Sequence, residues 1–223
     1  MNHQRGNAFI ITLVSVILLG ALTFVTMRQM GASTSQTLSD EKATLYANQL
    51  IAQANEMKGV IDQMLTTGST IDTLNYDLPS SGTFNSGTTI NKVFHPAGGG
   101  LNVPAINPES AASDYTGTPN WGIQYGYNVE WTPSTDTDVI YTFMGVKKSI
   151  CAKINFLLTG NSTIPMSIQP NGTGFSRFFS HGATDADFLS SDCSSCNGKP
   201  QYCVGKSGGN TTDYAFYSIV AQR

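Results

Sequence analysis

Charge is what this chain has least of. Asp, Glu, Lys and Arg together make up 12% of its 223 residues, about half the share usual in soluble domains. A formal net charge of −3 gives no electrostatic case for nucleic acid or acidic lipid as a partner. Histidine is scarce as well: His3, His95 and His181 are dispersed and define no metal or acid–base cluster. No serine lies in a Gly-x-Ser-x-Gly context, which removes the simplest hydrolase reading. Gly205-Lys206-Ser207 resembles the end of a phosphate-binding loop, but the full pattern needs Gly where Pro200 stands. No cofactor, metal or catalytic activity is expected. Gly, Ser, Thr and Asn are abundant instead, as in many exported β-rich proteins.

Residues 7–27 carry no charge over 21 positions. As a helix they would span about 30 Å, the thickness of a bilayer hydrocarbon core. The short leader MNHQRG precedes them, and Arg5 with the amino terminus favours a cytoplasmic start. A secretory signal peptide would have a shorter apolar region and a small-x-small cleavage site after it. The run here is longer, and Arg28 to Thr34 offers a poor site. A plain single-pass anchor is a second reading.

A third reading turns on Gly6, the residue immediately before the apolar run. A short basic leader ending in Gly, followed directly by the apolar segment, resembles the leader of type IV prepilins and pseudopilins. The resemblance covers residues 1 to about 66 well and the rest in outline. It implies cleavage by prepilin peptidase between Gly6 and Asn7, with Asn7 as the mature, N-methylated terminus. Phe9, Ile11, Leu13, Leu18 and Leu19 would then pack in the core of a filament. One departure matters: the fifth mature position, normally Glu in that family, is Ile11. That Glu is thought to neutralise the amine of a neighbouring subunit, and an uncompensated charge in an apolar bundle is costly. A chain without it suits a minor or tip subunit better than the major one.

From Leu38 onward apolar residues recur at steps of three and four through Leu65, which predicts an amphipathic helix ending near Thr66-Thr67-Gly68. All nine prolines lie at or after Pro79, marking a change of architecture near residue 68. Residues 69–120 read as a long loop with marginal strands at 88–94 and 101–106. Trp121 to Trp131 alternates with a period of two, and 139–144 reads as its hairpin partner. Residues 147–158 predict a short helix with Ile150, Cys151, Ile154, Leu157 and Leu158 on one face, ended by Gly160. Residues 214–220 predict a closing strand, with 202–204 able to pair with it. The expected fold is α+β: a long N-terminal helix over 7–67, membrane-embedded in its first half, packed on an antiparallel pilin-like head over 68–223.

Cys151, Cys193, Cys196 and Cys203 are even in number, and in an exported chain they read as disulfides. Cys193-Ser-Ser-Cys196 matches no common zinc spacing and sits in a Ser/Asp/Gly-rich loop, unlike a thioredoxin-type site. Three pairings are open. The preferred one joins Cys151 to Cys203, tying the short helix to the sheet, and leaves Cys193–Cys196 as a local loop. Asp185, Asp187 and Asp192 near His181 lack calcium-loop spacing and read as a solvated acidic loop. Phe175, Phe178 and Phe179 around Arg177 fit a core or a partner contact equally well.

The function expected from these features is structural. The chain would be a filament subunit of a type IV pilus-like or type II secretion pseudopilus assembly, held in the inner membrane with its head in the periplasm. Its partners would be other pilin or pseudopilin subunits, prepilin peptidase and a membrane assembly platform. The alternative is a membrane-anchored periplasmic binding or adhesion module that does not polymerise.

Overall fold

The computed structural model describes residues 39–113, 115, 118–167, 182, 186–206 and 213–223. The chain divides into two compact units, 1–42 and 43–223. Helix α1 spans residues 39–66. Proline is absent from it and Gly59 is its single glycine, so the backbone ladder is uninterrupted. From Ala43 on, its buried face is Ala43, Ala47, Leu50, Ala54, Met57, Ile61 and Met64, alternating steps of four and three that form one stripe. Leu45 does not join that stripe; it is 54% exposed. The helix ends in a Schellman arrangement. Gly68 adopts φ +111°, its N–H donates to the Leu65 carbonyl, and the Ser69 N–H donates to the Met64 carbonyl.

Residues 69–113 hold no strand, only isolated bridges and two short 3-10 turns, Thr89–Asn91 and Pro108–Ser110. The strands expected at 88–94 and 101–106 are absent because this segment spends its backbone bonds locally. Asn75, for example, donates to Asn91 and accepts from Val93. Gly99 lets this loop lie against α1: a Cβ there would stand 2.7 Å from Val60 Cγ1.

Strands β1 (Asn120–Val129), β2 (Asp138–Met144), β3 (Met166–Ser167), β4 (Ala186–Phe188), β5 (Gln201–Lys206) and β6 (Tyr214–Ala221) form one sheet in the order β3-β5-β6-β2-β1-β4. Helix α2 (Lys148–Thr159) follows β2 and closes on Gly160 at φ 76°. The β1–β2 hairpin and the β5–β6 pair are antiparallel. The expected antiparallel head is nevertheless incorrect. β4 lies parallel to β1, and β3 lies parallel to β5, so the sheet is mixed. Strands of three and two residues carry no readable periodicity, and periodicity in any case says nothing of direction. The long apolar N-terminal helix is likewise not found. No helix among the described residues is long and apolar enough to cross a membrane, and residues 7–27 lie outside them.

The sheet is buried on both faces. Val139, Tyr141, Phe143, Tyr214, Phe216 and Val220 face a core shared with the buried residues of α1 and α2. Ile140, Met144, Ala215, Tyr217 and Ile219 face a second core with Phe188, Cys193 and Cys196. In β1 the two cores trade places. Gln124 pairs with Ile140 and Tyr127 with Asp138, so three steps on β1 match two on β2. This bulge sends Trp121 and Ile123 to the first core but Tyr127 and Val129 to the second. The strict alternation of the sequence from 121 to 131 hides that switch.

Candidate functional site

Gly6, Asn7, Phe9, Ile11, Leu13, Leu18 and Leu19 lie outside the described residues, as do His181, Asp185 and the Phe175–Phe179 cluster. The geometry that can be built belongs to the domain over 43–223.

Both disulfides are present: Cys151–Cys203 and Cys193–Cys196, each with a Cα separation of 5.3 Å. The first fastens α2 to β5. Beside it Asn155, fully buried on α2, completes the junction. Its Nδ2 donates to the Cys203 carbonyl (2.8 Å) and the Thr163 carbonyl (3.0 Å), and its Oδ1 accepts from the Cys203 N–H (2.8 Å). β3 pairs with β5 only at Gly205 and Lys206. Asn155 therefore serves the backbone of Cys203 as a neighbouring strand would. The second disulfide spans the 3-10 turn Ser194–Cys196, and both its cysteines are buried under the second face of the sheet. Burial of that kind suits a staple, not a redox centre, which needs an accessible thiolate.

No group of three or more metal-ligating residues occurs among the described residues. Asp187 is exposed. Asp192 is buried and turned inward, its Oδ2 accepting from the Leu189 N–H at 3.1 Å. The carboxylate that burial affects most visibly is Asp138. Desolvation pushes its pKa above the ordinary value, against hydrogen bonds from the Val129 N–H, the Thr132 hydroxyl and the Arg223 backbone.

Three surface features remain. The first is a polar cleft of about 470 Å³ in the 69–100 segment, lined by Thr73, Asn75, Asp77, Thr83, Asn91 and Lys92 among others. Lys92, buried at 3% exposure, anchors it. Its ammonium donates to Asp77 Oδ2 (3.1 Å), to the Phe84 carbonyl (3.0 Å) and to the Thr83 carbonyl. Those three acceptors use all its N–H bonds, so Lys92 pins the loop and has none left for a ligand. For Asp77, burial raises the pKa but hydrogen bonds from Lys92 and Thr83 outweigh it, and the carboxyl sits below its usual range. The second feature is a groove between α1 and residues 105–108, where Gln53 Nε2 donates to the Ala105 carbonyl (3.3 Å).

The third is the outer face of α2, where Phe156 and Leu157 are 51% and 41% exposed. The sequence pattern places Leu157 on the buried face with Ile150 and Ile154. The buried residues of α2 are instead Ile150, Cys151, Ile154 and Asn155. The signal that could have revealed this is the polar Asn155 between apolar neighbours: one of the two faces had to hold it, and only its pairing with Cys203 makes the inner one favourable.

No protein-family model, curated protein or solved structure matches this chain. The functional reading therefore rests on its own residues and geometry.

Proposed function

We propose that the chain is a membrane-anchored structural subunit of a type IV pilus-like or type II secretion pseudopilus filament, processed between Gly6 and Asn7. One observation carries this reading: 21 uncharged residues, 7–27, begin directly after a short basic leader that ends in Gly6. The two disulfides support it, since structural disulfides belong to compartments outside the cytosol. So does the lack of any clustered ligating or catalytic set among the described residues, in keeping with an assembly role. Ile11 makes it a minor or tip subunit, because the apolar core of a filament would hold no carboxylate from this chain to meet a neighbour's amine. Its partners are other pilin or pseudopilin subunits, the prepilin peptidase and an inner-membrane assembly platform.

Intact mass of the protein from cells with and without prepilin peptidase tests the proposal. Loss of residues 1–6 only when the peptidase is present is the expected result. Retention of the leader in both hosts would sink it. The position within a filament has its own test. Ile11→Glu should change how much of the protein enters filaments, measured by immunoblot of sheared fractions; unchanged incorporation would remove the tip assignment. The polar cleft around Asp77 favours a second reading, a membrane-anchored binding or adhesion module that never polymerises. Absence of cross-links between copies or to other subunits in intact cells would favour it.

A further inference from the structure

The net charge of −3 conceals an asymmetry. Between Asp138 and Asp185 there is no acidic residue, and the charged side chains in that stretch are Lys147, Lys148, Lys153 and Arg177. The three lysines sit on or beside α2. Lys147 is its N-cap and Lys148 its first residue, with no acid in the first turn and no side-chain cap. Positive charge at that end opposes the helix dipole, and lysine caps poorly. Nearer the other end, Lys153 Nζ lies 5.6 Å from the centre of the exposed Phe156 ring, with exposed Leu157 beside it. The acid paired with this group is Glu109, 4.0 Å from Lys147 Nζ and 63% exposed itself. Helix formation favours none of these choices, and none of these side chains is among those α2 buries. A sequence that departs from local preference without a packing gain points to a use on the surface.

Where this face lies follows from how α1 meets the sheet. Tyr141 Oη donates to Gln53 Oε1, and Tyr141 pairs with Ser218 of β6. Further along, Lys58, Asp62 and Leu65 share a cleft with Ile219, Ala221 and Gln222. α1 and β6 thus run the same way. Going back from Gln53 to Ala43 covers about 15 Å of helix. Going back from Ser218 to Tyr214 covers about 14 Å of strand. Ala43, where the chain enters this domain, is therefore about level with Tyr214. The Tyr214 carbonyl accepts from the N–H groups of Gly145 (3.0 Å) and Val146 (3.1 Å), the residues that lead into Lys147. The lysine-bearing start of α2 stands at the end of the domain to which residues 1–42 connect.

We infer that the outer face of α2 docks on an anionic lipid bilayer, the one that residues 7–27 occupy; the inference rests on the anchoring proposed above. Lys147, Lys148 and Lys153 neutralise headgroup phosphates while Phe156 and Leu157 enter the boundary between headgroups and acyl chains. The charge of the whole chain argues against such a surface; its distribution argues for it. Docking of this kind keeps a subunit low on the membrane until assembly draws it out, and salt weakens it.

Full-length protein in nanodiscs with brominated acyl chains tests this, using F156W as a depth probe against the unsubstituted chain with Trp121 and Trp131. In discs containing phosphatidylglycerol the added tryptophan should be quenched. Each lysine should favour the docked state about fivefold, so K148E/K153E should abolish the added quenching, and raising the salt should reduce it. An unquenched added tryptophan in discs that hold the protein overturns the docking and leaves the anchoring intact. Equal quenching in pure phosphatidylcholine discs overturns its electrostatic basis. Concentration-dependent shielding of the F156W indole in detergent without lipid assigns the face to a second copy instead. A chain that does not enter discs overturns the anchoring; flotation with phosphatidylglycerol vesicles, with and without K148E/K153E, then decides the docking alone.

Discussion

Replacing Asn155 with Ala should be among the most damaging single changes in this domain, although Asn155 touches no cleft. Its amide holds three backbone groups: the Cys203 N–H, the Cys203 carbonyl and the Thr163 carbonyl. Cys203 is fully buried, so water cannot replace the lost partners at the first two. A buried donor or acceptor left unpaired costs about 1–3 kcal/mol. Two such groups, together with a weaker loss at Thr163, give about 3–5 kcal/mol. Asn155→Asp separates the contributions: a carboxylate still accepts from the Cys203 N–H but faces two carbonyls it cannot donate to, so it should be no better than Ala. Denaturant unfolding with the disulfides kept oxidised gives the global magnitude. Hydrogen exchange at the Cys203 amide gives the local one, and it should accelerate markedly. A loss below about 1 kcal/mol with unchanged exchange at Cys203 would show that β5 does not rely on this side chain.

Three further outcomes follow from the same geometry. Cys151–Cys203 closes a separation of 52 residues and Cys193–Cys196 one of 3; on the chain-entropy account, removing the first pair should cost about 4 kcal/mol and the second about 2. Thermal unfolding of the two double-Ser variants checks the order, which reversal would refute. Asp138 has its pKa raised by burial, so the folded state holds a proton more tightly than the unfolded one. Its contribution is fully favourable below the unfolded value of 3.8 and is lost as pH rises through the folded value, so Asp138→Asn should flatten that decline in a stability profile against pH. The leader test is the fourth: mature protein should begin at Asn7.

By itself the sequence determined the elements whose pattern is local. The apolar stripe of 39–66, the Thr66-Thr67-Gly68 stop, the hairpin over β1 and β2, α2 with Gly160 after it, and the β5–β6 pair each follow from the spacing of residues close along the chain. It also located the uncharged run after Gly6, which no part of the described fold addresses. Only the tertiary structure decided the rest. The parallel placement of β3 and β4 depends on partners far away in sequence, and two- or three-residue strands are too short to announce themselves. The bulge between Gln124 and Tyr127 depends on the register with β2, so an unbroken alternation in sequence became two faces in space. Asn155 looked like a defect in an apolar face until Cys203 was set beside it. The exposure of Phe156 and Leu157 followed from the same fact: once Asn155 turned inward, the geometry of a helix turned them out.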